Sequence, residues 1–188
     1  MKRSDSDKLN ELRNRIHSNA VNHGFWQNKP SSEHFLCLVI TELAEAVEAD
    51  RKDKKALLNE KTVANIDGGI YDAPESRHLF EADIKDTLED ELADALIRLF
   101  DLAGAHDIDI ETDRRSTPAV NSKQTFTENI YMIIRSMVKM GWCLELQINY
   151  AVFNIVRLAD IMGFDIWWFV EHKMAYNEGR EKLHGKSY

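Results

Sequence analysis

Proline is scarce, with three in 188 residues, and glycine occurs only eight times, so few points oblige a helix to stop. Cysteine occurs twice, at Cys37 and Cys143. Both sit in apolar helical patterns without metal-ligand spacing, which predicts reduced residues in or near the core. No apolar run reaches the length of a membrane span, because Phe35 to Ile40 is cut off by Thr41 and Glu42. Met1 to Lys8 carries positive charge with no apolar stretch behind it, so no secretory signal is expected and the cytoplasm is the simplest location. Positive charge is in deficit, with 24 Lys and Arg against 32 Asp and Glu and a formal charge of −8. That balance argues against a nucleic-acid binder, which needs a basic footprint. A small anionic ligand stays open, provided a cation bridges it to the protein.

What the chain does have is helical periodicity. The hydrophobic share is 44% and the charged share 30%, and the length suits one globular domain spanning 1–188. Leu9, Leu12, Ile16 and Ala20 mark a first helix that stops near Asn22. A second starts after Pro30, with Ser31 or Ser32 as N-cap, and carries Leu36, Val39, Ile40, Leu43 and Val47. The pattern fades over 61–80, where Asp67-Gly-Gly and Asp72-Ala-Pro are turn chemistry, so this stretch is expected to be an inserted excursion. A third helix is predicted over 82–105, with a long loop over 107–124. Thr125 and Glu128 form a capping box for a fourth, which Gly141 should end. A fifth spans Leu144 to Met162 and stops at Gly163. Asp165 can cap a sixth that runs toward His184. No segment alternates as a strand, so the predicted fold is all-α, a bundle of about six helices.

One short echo carries chemistry. Thr41-Glu-Leu-Ala-Glu-Ala-Val returns as Asp90-Glu-Leu-Ala-Asp-Ala-Leu, and each copy sets two acids three residues apart on one helical face. At about 100° per residue, Glu42 falls in the sector of Phe35, Leu38, Ala46 and Ala49, and Glu91 falls among Ile84, Ala95 and Leu102. Burying a carboxylate without a partner costs several kcal/mol. Salt bridging is one remedy, and Arg98 is one turn from Asp94. A divalent cation held by Glu42, Glu45, Glu91 and Asp94 compensates all four, and an oxygen donor set suits Mg²⁺ or Mn²⁺.

This pair of motifs resembles the all-α nucleoside triphosphate pyrophosphohydrolases, the superfamily of MazG, the dimeric dUTPases and the dCTP pyrophosphatases. The resemblance implies an oligomeric helical bundle, a homodimer or higher homo-oligomer, that binds Mg²⁺ through Glu42, Glu45, Glu91 and Asp94. It also implies hydrolysis of a nucleotide substrate to a nucleoside monophosphate and pyrophosphate. Trp26, sixteen residues before Glu42, and His17, nine before that, match residues near the base in the dCTP branch; otherwise Trp26 caps the second helix and His17 lies on an exposed helix face. Lys173, Asn177, Arg180 and His184 form one polar stripe that resembles the phosphate-side tail of MazG-like proteins, or else a solvated helix end. Glu45, at the edge of the apolar stripe, is the expected general base. The spacing between the acidic motifs is longer than the family's, and Arg98 replaces the tyrosine of the dCTP branch.

Two other readings remain. A ferritin-like dimetal protein needs two Glu-x-x-His pairs, and Glu75/His78 and Glu181/His184 have that spacing. A non-catalytic helical scaffold would use Trp167, Trp168 and Phe169 as an interface.

Overall fold

The computed structural model describes residues 5–68, 74–111 and 117–185, and these form eight α-helices and no strand. The all-α fold is as the periodicity predicts. In order the helices are α1 (Asp5–Asn22), α2 (Ser32–Arg51), α3 (Glu60–Asp67), α4 (Pro74–Asp83), α5 (Leu88–Ala105), α6 (Phe126–Met137), α7 (Leu144–Met162) and α8 (Ile166–Glu178). A 3₁₀ turn, Lys182–Gly185, follows.

Most boundaries are written in side-chain chemistry. Ser31 accepts from His34 N at 3.3 Å to start α2. Thr125 and Glu128 close the expected capping box of α6. Asp165 accepts from the amides of Trp167 and Trp168 to open α8. Gly163 ends α7 at φ +84, a conformation that glycine adopts without a Cβ penalty.

Helix α5 is the axis of the bundle. Leu88, Leu92, Ala95, Leu96, Leu99 and Leu102 are all 0% exposed, and α5 packs against α1, α2, α7 and α8. Helix α6 packs on α2 and α7. A Cβ on Gly104 would lie 2.5 Å from His17 Cβ, so this glycine lets α1 cross close over α5.

Four expectations are corrected. The described part of 61–80 is helical rather than irregular: α3 and α4 pack on each other, and each is a short amphipathic piece whose periodicity is broken by the Gly/Pro-rich stretch between them. That stretch, 69–73, lies outside the described residues. The helix predicted over 82–105 is two helices, parted by a turn in which Asp86 has φ +58 and Thr87 caps α5. Ile84 and Leu88 stay in helical register across that turn, so periodicity alone does not reveal it. Helix α6 ends at Met137, before Gly141. Cys37 and Cys143 are both free and exposed; Cys37 lies on the outer face of α2 and Cys143 is the N-cap residue of α7. No helix among the described residues is long and apolar enough to cross a membrane.

Candidate functional site

Helices α2 and α5 bring Glu42, Glu91 and Asp94 together, with one carboxylate oxygen of each within 4.8 Å of the others. Glu42 and Glu91 are 5% and 4% exposed, while Asp94 is half-buried. Glu45 is exposed on the next turn of α2 and stands outside this group, although its charge is felt at Glu42. Of the four expected ligands, the fold thus gathers three and leaves Glu45 at the rim.

Two cations already answer part of the charge. Arg98 Nε donates to Glu42 Oε1 at 2.5 Å, so the arginine pairs across to α2 rather than with its own helix neighbours. Lys173 on α8 is 4% exposed. Its Nζ lies 2.6 Å from Asp90 Oδ2 and 2.8 Å from Asp94 Oδ2. Burial alone would lower its pKa, but the two aspartates more than offset that and hold it charged. Lys173 is therefore a buried ion-pair partner of α5. Neither the phosphate clamp nor the solvated helix end expected of the stripe describes it, because helical spacing shows which residues share a face and not what that face meets.

Carboxylate is still in excess. Burial, reinforced by Asp94 and Asp90, pushes Glu91 up to about 9. Burial and Asp94 also raise Glu42 against the pull of Arg98. Asp90 is 1% exposed and pushed up to about 6, chiefly by burial. Its Oδ1 has no hydrogen-bond partner among the described residues. A carboxyl driven toward its neutral form beside converging acids is what a missing positive charge produces. The donor set is all oxygen, so Glu42, Glu91 and Asp94 fit a hard divalent cation such as Mg²⁺ or Mn²⁺.

Glu42 and Asp94 open onto a cavity of about 550 Å³, a size suited to a small organic ligand. Phe25, Phe35 and Met174 give it apolar wall; Glu42, Asp94, Arg98, Asp101, Asn177 and Arg180 also line it. Asn177 is 5% exposed and its Oδ1 has no hydrogen-bond partner among the described residues. Arg180 Cζ lies 5.8 Å from the Tyr176 ring centroid. The His184 side chain is outside the described residues.

His17 and Trp26 stand behind this wall. His17 Nδ1 lies 2.7 Å from Asp101 Oδ1, and Trp26 Nε1 donates to the same oxygen at 2.9 Å. A carboxylate only accepts, so Nδ1 carries the proton. Trp26 stacks on Phe35 with centroids 4.2 Å apart. The two rings meet each other, Asp101 and Phe35, and Phe25 and Phe35 provide the aromatic surface of the cavity.

Asp90 and Asp101 are the site residues that sequence reasoning missed. Both lie on the apolar side of α5, and the argument applied to Glu91 would have flagged them. His78 and Glu181 are exposed, and the side chains of Glu75 and His184 lie outside the described residues. Phe169 is buried, Trp167 packs edge-on against Phe100, and Trp168 Nε1 donates to Asp67 Oδ1 at 2.8 Å. Comparison with known proteins finds no family model, no curated protein and no solved structure that matches this chain.

Proposed function

We propose that the chain is a Mg²⁺-dependent nucleoside triphosphate pyrophosphohydrolase, cleaving an NTP or dNTP between the α and β phosphates to a monophosphate and pyrophosphate. The observation that carries this reading is the convergence of Glu42, Glu91 and Asp94, two of which, Glu42 and Asp94, line a cavity of about 550 Å³. The short acidic echo that resembles the all-α pyrophosphohydrolases supports it from the sequence side.

Glu42, Glu91 and Asp94 would hold the cation, with Glu45 reaching it or its water from the rim. The cation supplies neutralisation of phosphate charge and acidification of water. Lys173 fixes the rotamer of Asp94 through a 2.8 Å ion pair and so keeps the cage in shape. Arg180 and Asn177 face the ligand from α8 and its end and suit phosphate oxygens and a donor group respectively. Water attacks the α phosphorus, the bond from that phosphorus to the bridging oxygen breaks, and pyrophosphate leaves. Glu45 is the general base in this scheme because, alone of the four acids, it is exposed. The reading places the enzyme in the cytoplasm as a homodimer or higher homo-oligomer, for which Tyr131, Val138 and Met140, at 63%, 58% and 95% exposure, offer apolar surface.

The test is pyrophosphate release from a panel of canonical and modified NTPs and dNTPs, with and without Mg²⁺. Metal-dependent release that disappears in Glu42→Ala/Asp94→Ala supports the assignment. Silence across the panel removes it, and bound iron in the purified protein would then favour the dimetal reading.

A further inference from the structure

Arg98 has more hydrogen-bonding capacity than the protein uses. Its Nε is spent on Glu42, which fixes the plane of the guanidinium. Nη1 and Nη2 have no hydrogen-bond partner among the described residues, and the side chain, 22% exposed, lines the cavity. A planar fork with two parallel donors takes two adjacent acceptors in its own plane.

Its place along α5 says which end of a ligand it meets. Asp94 belongs to the acidic cage and Asp101 lines the cavity one turn beyond Arg98. At about 1.5 Å per residue, Arg98 lies about 6 Å along the axis from Asp94, toward Asp101. Asp101 is occupied by His17 and Trp26, so Arg98 is the α5 group left to read a ligand there. Phe25 and Phe35, which line the same cavity, provide apolar surface for a flat ring.

Resting on the function proposed above, we propose that Arg98 is the base-reading residue of this cavity. It selects nucleotides whose base presents two adjacent acceptors on one edge. Guanine and hypoxanthine do so through O6 and N7, and cytosine does so through O2 and N3. Adenine sets an amino group beside N7, and in uracil and thymine a ring N–H separates the two oxo groups, so none of these matches the fork.

The experiment is calorimetric binding, in Mg²⁺, of the α,β-methylene triphosphates of guanosine, cytidine, adenosine and uridine, with inorganic tripolyphosphate as the base-free probe. Arg98→Lys retains a cation beside Glu42 and loses the fork; Arg98→Gln is the harsher variant, and circular dichroism checks folding of both. The wild type should bind the guanosine or cytidine analogue about tenfold or more tightly than the other two. Arg98→Lys should shrink that preference to within about twofold, and any loss of tripolyphosphate binding should be smaller than the loss of the preferred nucleotide. A wild type without base preference overturns the proposal. So does an Arg98→Lys protein that loses tripolyphosphate as much as nucleotide, since the fork then lies on phosphate. Pyrophosphate release without base preference removes this inference alone, whereas a wild type that neither binds nor cleaves any nucleotide removes the functional reading with it.

Discussion

Lys173 on α8 sits between two aspartates of α5, with its Nζ 2.6 Å from Asp90 and 2.8 Å from Asp94. The acids are one turn apart on their helix, so a single ammonium ties the C-terminal helix to the acidic face. The proposed cation site and the buried ion pair share Asp94.

Removing that ammonium should cost stability first. Lys173→Met leaves buried Asp90 beside half-buried Asp94 with no cation between them, and losing one side of a buried pair costs about 3–5 kcal/mol. Urea unfolding without metal should show that loss, and Mg²⁺ should restore part of it by replacing the missing charge. A Lys173→Met protein as stable as wild type would mean that solvent reaches Asp90.

Stability of the metal-free protein should depend on pH through Glu91. Its folded pKa, about 9, lies above the ordinary 4.5. The folded state therefore binds the proton that the unfolded state has released, and stability falls as pH rises between those values. Asp90, at about 6, adds in the same sense between its ordinary value and that point. Thermal melts from pH 5 to 9 should show the decline, and Glu91→Gln should flatten it. Mg²⁺ should flatten it too, since a bound cation favours the ionised carboxylate. A melting temperature that climbs across this range would contradict the burial of Glu91.

Asp101 should behave as an anchor for two aromatic rings. Burial raises its pKa, against the hydrogen bonds from His17 and Trp26. Asp101→Ala leaves both donors without their acceptor and should cost about 1–3 kcal/mol. Trp26 emission should change, because its indole N–H loses a partner 2.9 Å away. Unaltered fluorescence together with unaltered stability would deny the anchoring role.

At the α1–α5 crossing, Gly104→Ala should destabilise by about 1–3 kcal/mol through overpacking. The added methyl would fall 2.5 Å from His17 Cβ, and shortening the histidine leaves that atom in place. Gly104→Ala/His17→Ala should therefore unfold no later than Gly104→Ala alone in a thermal melt.

The fold was legible where capping and periodicity agree, as at Thr125/Glu128 and over Leu144 to Gly163. It was opaque at residues 84–87, because Ile84 and Leu88 keep helical register through a break that only Thr87 and Asp86 encode. Within the candidate site, Glu42, Glu91 and Asp94 were legible because acids on an apolar face need compensation. The partners of Lys173 are not legible, because spacing along one helix says nothing of the helix opposite. Glu45 shares its motif with Glu42 but, three residues on, has already turned toward solvent.

The helices that lengthen the interval between the acidic motifs return to touch α8. Tyr176 Oη donates to Glu81 at 3.0 Å, and Trp168 and His172 both reach Asp67. Phe80 stacks on Tyr176 at 4.6 Å. These contacts bracket Lys173 along α8, so α3 and α4 splint the helix that neutralises α5. What reads in sequence as a detour between two motifs is, mechanically, the outer wall against which the third side of the acidic chamber rests.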